Sequence, residues 1–335
     1  MTTQPTRLLV CGGAGYIGSH MCKLLSEHGY HVAVIDNLST GHKEAVRWGQ
    51  LYEGDIGDFA FLSRVFADVQ PEGVLHFAAK SIVSESVSHP ALYYQNNVSA
   101  SLNLFEQVRR IPGCPLIFSS TAAIFGVPRS ERINEAHPKD PINAYGRSKL
   151  AVEQALQDYW AAYGMPSMAF RYFNAAGADP SAVIGEAHEP ETHLIPKVFQ
   201  SILGDPVPLK IFGDDYETPD GTCVRDYVHV NDLCMAHLLG LRFLRLHRGA
   251  HAFNLGNGAG FSVREVLKTA ERITGTAVRH ELTDRRPGDP SHLVADSSAA
   301  RETLGWEPQH IGLEDIMRTA WTWHRNRSLV KHDGA

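Results

Sequence analysis

The sequence predicts an α/β protein built on a doubly wound parallel sheet, with a smaller C-terminal lobe for substrate. Two observations predict this class. Short apolar strand segments alternate with helical patterns up to about residue 175, and a glycine-rich turn joins the first strand to the first helix. Beyond that point the alternation loosens. We therefore expect a dinucleotide-binding domain of residues 1–175, to which 226–255 return, and a lobe of residues 176–225 and 256–335.

The first strand ends in a loop typical of nucleotide binding. Arg7–Cys11 has the pattern of a buried strand, and Gly12, Gly15 and Gly18 follow at Gly-x-x-Gly-x-x-Gly spacing where a helix begins. Glycines at this spacing allow a tight turn, a close approach of the backbone to pyrophosphate, and close packing of helix on strand. The free N–H groups of the helix N-terminus attract the phosphates. The loop thus predicts a bound dinucleotide.

The residues after the second strand indicate which dinucleotide binds. His31–Ile35 has the pattern of a second buried strand, and it ends at Asp36, at about the distance expected for a ribose partner. A carboxylate there accepts hydrogen bonds from the ribose hydroxyls and repels a 2′-phosphate. Asn37 follows, with no arginine to receive that phosphate. We therefore expect NAD rather than NADP.

Further candidate cofactor residues follow the next strands. Asp55 and Ile56 lie just past a short strand, and residues 73–79 have the pattern of a buried strand with small residues at its end. Ligands of an open parallel sheet bind beyond the carboxyl ends of the strands. Lys80 is therefore a candidate phosphate partner, and Asn97 is carried by a predicted helix over 93–110.

A tyrosine and a lysine four residues apart suggest proton transfer. Tyr145 and Lys149 fall on one face of a predicted helix over 145–163. An ammonium beside a phenol favours the phenolate and lowers the pKa of the tyrosine. Tyr145 is therefore a candidate proton acceptor at neutral pH. The preceding strand, 115–119, leads into Ser119-Ser120-Thr121.

Composition excludes several other classes of protein. A net charge of −6 and the lack of a long basic run argue against nucleic acid as a partner. No apolar run reaches the roughly 18 residues of a membrane span. We expect no membrane partner and a cytoplasmic location, because the N-terminus has no hydrophobic signal region. The five cysteines include no Cys-x-x-Cys pair and are expected to be reduced.

One loop contains several groups that could bind a metal ion. His188 and His193 flank Glu189 and Glu191. A polar loop is the favoured interpretation of this pattern, since it lacks the His-Glu-x-x-His spacing of a zinc enzyme. We therefore predict no metal site.

Four motifs together resemble those of the extended short-chain dehydrogenase/reductases. They are the three glycines, Ser119-Ser120-Thr121, Tyr145-x-x-x-Lys149 and Arg171-Tyr172-Phe173-Asn174. Later segments narrow the resemblance to the UDP-glucose 4-epimerase family: Ile211-Phe212-Gly213, residues 224–230 and residues 285–289. The resemblance spans about residues 7–325. It implies a Rossmann domain, a tightly bound NAD, and inversion at C4 of UDP-galactose or UDP-glucose through a transient 4-keto sugar.

The resemblance also implies roles for individual residues. Tyr145 removes the proton of the sugar 4-hydroxyl, Lys149 lowers the pKa of that tyrosine and contacts the nicotinamide ribose, and Thr121 contacts the 4-hydroxyl. All three also count as cofactor contacts, and Thr121 and Tyr145 as substrate contacts. Other implied cofactor contacts are Gly12, Gly15, Tyr16, Ile17, Gly18, Asp36, Asn37, Asp55, Ile56, Phe77, Ala78, Ala79, Lys80, Asn97 and Phe173. Other implied substrate contacts are Asn174, His193, Leu194, Lys210, Ile211, Phe212, Arg225, Arg286, Asp289 and Leu293.

Some alternatives stay open at this point. Ala122 and Ala123 follow Thr121 where related dehydratases carry an acid, which argues against dehydration. Leu293 is intermediate in size at a position that limits the sugar 2-substituent, so UDP-N-acetylhexosamines and UDP-pentoses remain candidate substrates. A dinucleotide-sensing binding protein without catalysis is the alternative outside enzymes. The resemblance further implies a homodimer formed by helices at about 93–110 and 146–162.

Overall fold

The protein is built around one large parallel sheet. The computed structural model describes residues 6–286 and 289–333. Its strands are β1 Arg7–Cys11, β2 His31–Asp36, β3 Gln50–Glu53, β4 Val74–His76, β5 Leu116–Thr121, β6 Ser167–Tyr172, β7 Asn174–Ala176, β8 Leu209–Phe212, β9 Val224–Arg225, β10 Tyr227–His229, β11 Ala250–Leu255, β12 Phe261–Ser262, β13 His280–Thr283 and β14 His292–Leu293. Seven of them form the central sheet in the order β11-β6-β5-β4-β1-β2-β3, with every pair parallel. The order reverses between β1 and β4, where ligands of such sheets bind.

Helices cover both faces of this sheet. The α-helices of the described residues are α1 Tyr16–Glu27, α2 Phe59–Val69, α3 Val83–Ser88, α4 Pro90–Tyr93, α5 Ala100–Val108, α6 Ala144–Tyr163, α7 Leu194–Ile202, α8 Val230–Leu246, α9 Val263–Thr274, α10 Ser298–Leu304 and α11 Leu313–Asp333. A π-helical segment, Tyr94–Ser99, joins α4 to α5, so residues 90–108 form one long helix with a widened turn that contains Asn97. Such π turns recur at functional sites.

Alternate residues of each strand supply the two halves of the core. Leu8 and Val10 of β1 pack with α1 and α8 on one face, whereas Leu9 and Cys11 pack with α2, α5 and α6 on the other. This alternation follows from the period of two along a strand. Because both faces of the sheet are covered, its strands are mostly apolar, which is why most of them are recognisable in the sequence.

The second half of the chain adds a smaller core. α7, α9 and α11 surround a cluster that includes Val198, Phe199, Leu267 and Ile316, and the short pair β8 and β13 lies beside it. The strands β7 and β10 form a second parallel pair, and β12, β9 and β14 form a third small sheet. Part of this half also returns to the large sheet, since Trp306 is fully buried in the core with α1 and α8.

Several sequence predictions match the structure closely. The first strand has the predicted bounds, and the helix predicted over 145–163 begins one residue earlier, at Ala144. The strand predicted over 73–79 is shorter, because Phe77 and Ala78 leave the ladder and both donate to the carbonyl of Cys11. Conversely, β5 continues to Thr121, two residues further than predicted. Pro287 and Gly288 of the later motif lie outside the described residues.

Two expectations from composition can also be compared with the structure. All five cysteines are free and buried. Among the helices that the structure describes, no segment is long and apolar enough to cross a bilayer.

Candidate active site

Of the three glycines at 12, 15 and 18, only Gly15 has room for a side chain. Gly12 has a positive φ of 83°, and a Cβ there would lie 2.6 Å from the backbone nitrogen of Ala78. A Cβ on Gly18 would lie 2.0 Å from the carbonyl oxygen of Gly12. At Gly15 the nearest protein atom is 3.4 Å away, so this residue is open towards the cleft that it lines. The loop is therefore tight against the protein and open towards a ligand.

The start of α1 fits a phosphate group. Gly15 is its N-cap residue and provides no side chain to satisfy the first N–H groups of the helix. These unpaired donors and the helix dipole favour an anion at this end. The three glycines and this helix end fit the pyrophosphate of the dinucleotide that the sequence predicts.

A cleft continues from the loop to the ends of β2, β3 and β4. Asp36 ends β2, and its two carboxylate oxygens accept from the backbone N–H groups of Ala14 and Leu38, each at 2.9 Å. Asn37 donates to Asp55 at 2.7 Å, which brings together two predicted ribose-side residues. The cleft is lined by Gly12, Gly15, Ile35, Asp36, Asn37, Ser39, Thr40, Gly41, Gly54, Asp55, Ile56, Phe77, Ala78, Ala79, Lys80 and Asn96.

Some of these lining residues were not predicted. Ser39, Thr40, Gly41, Gly54 and Asn96 face the same cleft. The polar run Asn37-Leu38-Ser39-Thr40-Gly41 directly after a sheet strand is the signal that could have identified most of them, since such segments lie at the carboxyl edge.

Asn97 organises the far side of the cleft. Its amide accepts from the backbone N–H of Lys80 at 2.9 Å and donates to the carbonyl of Lys80 at 3.0 Å and to the hydroxyl of Ser148 at 3.1 Å. The π turn that contains Asn97 therefore connects the end of β4 to α6. Tyr16 and Ile17 lie in the first turn of α1, where Tyr16 is buried and donates to the carbonyl of Gly177 at 2.7 Å.

The predicted catalytic residues converge where β5 ends and α6 begins. Thr121 is the last residue of β5, and Tyr145 lies in the first turn of α6. Asn143 caps that helix by accepting from Gly146 N–H at 2.8 Å. A Cβ on Gly146 would lie 2.4 Å from the carbonyl oxygen of Ala123, so the helix start packs directly on the loop after Thr121.

The ammonium of Lys149 is hydrogen-bonded to the strand that leads to Thr121. Its ammonium donates to the carbonyl of Ser119 at 2.7 Å and lies 4.7 Å from the ring centre of Phe118. Burial lowers the pKa of Lys149 to about 7, and the Glu153 carboxylate acts in the opposite direction. The ammonium is therefore hydrogen-bonded to the end of β5.

The pKa of Tyr145 also differs from the prediction. Burial raises the pKa of the phenol, and the hydroxyl of Thr121 opposes this shift. Lys149 is not among the groups that perturb it. Burial is therefore the larger influence on the phenol, and the shift is opposite in direction to the lowering by Lys149 that the sequence predicts.

A buried ion pair that was not predicted lies next to Lys149. Glu153 lies one turn beyond Lys149, and its oxygens accept from the guanidinium of Arg171 at 2.6, 3.0 and 3.1 Å. Ser120 donates to the same carboxylate at 2.5 Å. Both charged side chains are less than a tenth exposed. The spacing Lys149-x-x-x-Glu153 on one helix face was the available signal.

Several predicted substrate residues form a second group. Arg225 in β9 is opposite Leu293 in β14, and its guanidinium donates to Asp289 at 2.5 Å. The guanidinium of Arg286 lies 3.8 Å from the ring centre of Phe212. The geometry thus provides two arginines on the β8, β9 and β14 side of the molecule.

This group is connected to the catalytic residues by packing. Leu293 and Phe173 pack against a small core formed by Ala122, Ile124, Phe125 and Ile133, directly after Thr121. Asn174 begins β7, and its amide donates to the carbonyl of Asp226 at 2.9 Å. Leu293 is therefore close enough to the end of β5 to shape the space beyond it.

Three other predicted substrate residues are placed less favourably. The side chain of Lys210 is exposed and lies 3.7 Å from Glu281, and Ile211 is buried in the core of the second half. Alternation along β8 places Ile211 on the buried face, whereas Lys210 shares the face of Phe212. His193 directs its Nδ1 atom to Glu186, next to Leu194 at the start of α7.

Comparisons with known proteins show which proteins the chain is similar to. A family model described as GDP-mannose 4,6 dehydratase matches residues 9–320. The UDP-glucose 4-epimerase of Lacticaseibacillus casei is 47% identical over 322 residues, which cover 95% of this chain and 97% of that protein.

Solved structures give the same result. The crystal structure of UDP-glucose 4-epimerase from Brucella ovis in complex with NAD has a TM-score of 0.92 at 48% identity, covering 95% of this chain and 98% of that one. The enzyme from Bifidobacterium longum in complex with NAD+ and UDP has a TM-score of 0.90 at 35% identity, covering 96% and 98%.

The fold and the Tyr145 and Lys149 pair define an extended short-chain dehydrogenase/reductase with a Rossmann sheet. Within that class, the chain belongs to the UDP-glucose 4-epimerase family.

The glycine loop generates a matched pair of substitutions. Gly15→Ala should fold normally but lose bound NAD, because its methyl group meets the ligand rather than the protein. Gly18→Ala should be destabilised by about 1–3 kcal/mol even with saturating NAD, because its methyl group collides with the backbone of Gly12. NAD content after heat release and denaturant unfolding measure the two effects. Equal NAD content in wild type and Gly15→Ala would contradict this description of the loop.

Proposed function

We propose that this chain is an isomerase that inverts C4 of a UDP-hexose, interconverting UDP-galactose and UDP-glucose with tightly bound NAD. The observation that carries this proposal is the meeting of Thr121, Tyr145 and Lys149 at the carboxyl edge of a sheet whose glycine loop fits the dinucleotide. When bound, NAD supplies an acceptor for the hydride of C4, so that the sugar passes through a 4-keto state. No net oxidation or reduction results.

The residues of the chain provide the proton chemistry. Tyr145 takes the proton of the sugar 4-hydroxyl and later returns a proton to the oxygen on C4, as a general base and then a general acid. Thr121 ends β5 beside it and is placed to hydrogen-bond the same hydroxyl. Lys149 in α6 is buried, which lowers its pKa to about 7, and its ammonium donates to the carbonyl of Ser119 in β5. We propose that it contacts the ribose of the cofactor.

The second half of the chain is proposed to bind the UDP portion. Arg225 and Arg286 each offer a charge-assisted clamp for the diphosphate, and Asp289 holds Arg225 in place. Asn174, Leu194 and Phe212 are proposed to line the same side, whereas the ring of His193 is directed to Glu186. Binding through the nucleotide leaves the keto sugar free to turn over, while the surrounding lobe excludes water from it.

The other functions considered from the sequence are less well supported. Ala122 and Ala123 give no acid for dehydration next to Thr121, although the matching family model carries a dehydratase description. The relatives do not favour a main substrate among UDP-N-acetylhexosamines or UDP-pentoses. A sensing protein without catalysis would not require a buried lysine and a tyrosine at the end of β5.

Conversion of UDP-galactose tests the proposal. Purified protein with no added cofactor should produce the anomeric proton signal of UDP-glucose, because NAD is retained through purification. Tyr145→Phe should lower kcat by a factor of about 10²–10⁴ without loss of bound NAD, since it removes only the proton acceptor. Proton NMR measures the first and absorbance of released NAD the second. Wild-type activity in Tyr145→Phe would reject Tyr145 as the base, and no conversion after NAD addition would reject the function.

We further propose the two-part division of the chain predicted above.

We also propose a homodimer formed by the helices at about 93–110 and 146–162. Exposed apolar side chains at Leu92, Tyr94 and Tyr163 near these helices support the dimer. By contrast, Val152 and Leu156 of α6 are buried against the sheet and are not available to a partner.

Light scattering tests the dimer. Wild type should have twice the chain mass of 36.9 kDa at micromolar concentration. Tyr94→Glu should be monomeric, because a carboxylate would be buried unpaired in the interface. Leu246→Glu is the control: Leu246 is 82% exposed at the end of α8, so this variant should stay dimeric. A monomeric wild type would contradict the dimer.

A further inference from the structure

Four ionisable side chains converge in the segment between β7 and α7. They are Glu186, His188, Glu191 and His193, called here the Glu186 cluster. One donor atom from each residue lies within 4.8 Å of every other. The sequence pattern had favoured a polar loop and had included Glu189, whose side chain instead approaches Arg327 at 3.8 Å.

The donor atoms surround one point. Nδ1 of His188 lies 3.0 Å from Oε1 of Glu186 and 3.9 Å from Oε1 of Glu191. Nδ1 of His193 lies 3.9 Å from Oε1 of Glu191 and also contacts Oε1 of Glu186. Donors bound tetrahedrally to zinc at 2.0–2.2 Å are separated by roughly 3.3 Å. The observed spacings bracket that value, so small movements of the side chains would bring the four donors to the separations of a four-coordinate site.

The charges of the cluster call for a cation. The side chains of Glu186 and Glu191 are each only 4% exposed. Among the residues that the structure describes, neither carboxylate forms an ion pair with lysine or arginine. Buried carboxylates are stable only when they are paired or bound to metal. One protonated imidazole balances only one of the two carboxylates, whereas one divalent ion contacts all four groups.

We propose that the Glu186 cluster binds one divalent transition-metal ion, with zinc as the best match to two imidazoles and two carboxylates. Imidazole and carboxylate are both ligands of zinc, and four protein donors with no open position are typical of a structural site. The ion is therefore separate from the chemistry at Tyr145. It supplies no hydride acceptor and no proton.

The surroundings indicate what the ion would hold together. The carbonyl of Glu186 accepts from the indole of Trp323 in α11 at 2.8 Å, and the ring of His188 meets the ring of Tyr16 in α1 at 6.2 Å. The carbonyl of Ala187 lies 2.7 Å from Nε2 of His42. A metal ion would thus connect the glycine-loop helix and α11 to the start of α7.

Metal content tests the inference. Protein treated with a chelator and then with excess Zn²⁺ should retain about one zinc per chain after buffer exchange, as measured by mass spectrometry of the metal. Co²⁺ should give the intense visible bands of four-coordinate cobalt without a thiolate charge-transfer band, because all five cysteines are buried elsewhere. Zinc should also raise the unfolding temperature of the apoprotein, since it binds only the folded state.

Three variants assign the site. Glu191→Gln and His188→Ala should each lower zinc retention about tenfold or more, because each removes a ligand. Glu189→Gln should retain zinc like wild type, since its side chain faces Arg327 in the same loop. Glu191→Gln is nearly isosteric, so it keeps the test meaningful if His188→Ala folds poorly. Wild-type retention below about half an ion per chain, or equal retention by Glu191→Gln, would overturn the proposal.

Discussion

The contact between the end of β5 and the first turn of α6 is the constraint on which the rest of the site depends. Gly146 packs on the carbonyl of Ala123 with no space for a Cβ, and Asn143 fixes the helix start. This contact brings Thr121 and Tyr145, which are 24 positions apart in the sequence, to the same place. A side chain at Gly146 would separate the helix from the strand, and with it the base from the group that orients the sugar.

That contact also requires a lysine to be buried. The ammonium of Lys149 donates to the carbonyl of Ser119 and lies over the ring of Phe118, but it is buried away from water. The carboxylate of Glu153, one turn further along α6, favours the charged form of Lys149. It is itself held by hydrogen bonds from Arg171 and Ser120. Buried pairs of this kind add little net stability, but loss of one partner leaves a charge unpaired at a cost of about 3–5 kcal/mol. We therefore assign the Glu153 and Arg171 pair the role of holding α6 in position against β5 and β6.

Much of the framework was predictable because it follows from local pattern. Buried parallel strands are mostly apolar, so the bounds of Arg7–Cys11 and His31–Asp36 were predicted to within one residue. The side chains were harder to place. The position of Lys149 depends on a strand carbonyl 30 residues away, and the pairing of Glu153 with Arg171 spans two elements. In the segment before α7 there is no period to indicate which way Glu186, Glu189 and Glu191 point, so only the folded chain distinguishes them.

The central claim is that C4 is oxidised and then reduced within the protein, with Tyr145 moving the proton. The most direct measurement uses UDP-galactose deuterated at C4 under single-turnover conditions without added cofactor. The UDP-glucose formed should keep its deuterium at C4, and its formation should be slower than with the protium substrate, because the C4–hydrogen bond breaks and the same hydrogen returns. Loss of the deuterium to water, or equal rates with the two substrates, would contradict the claim.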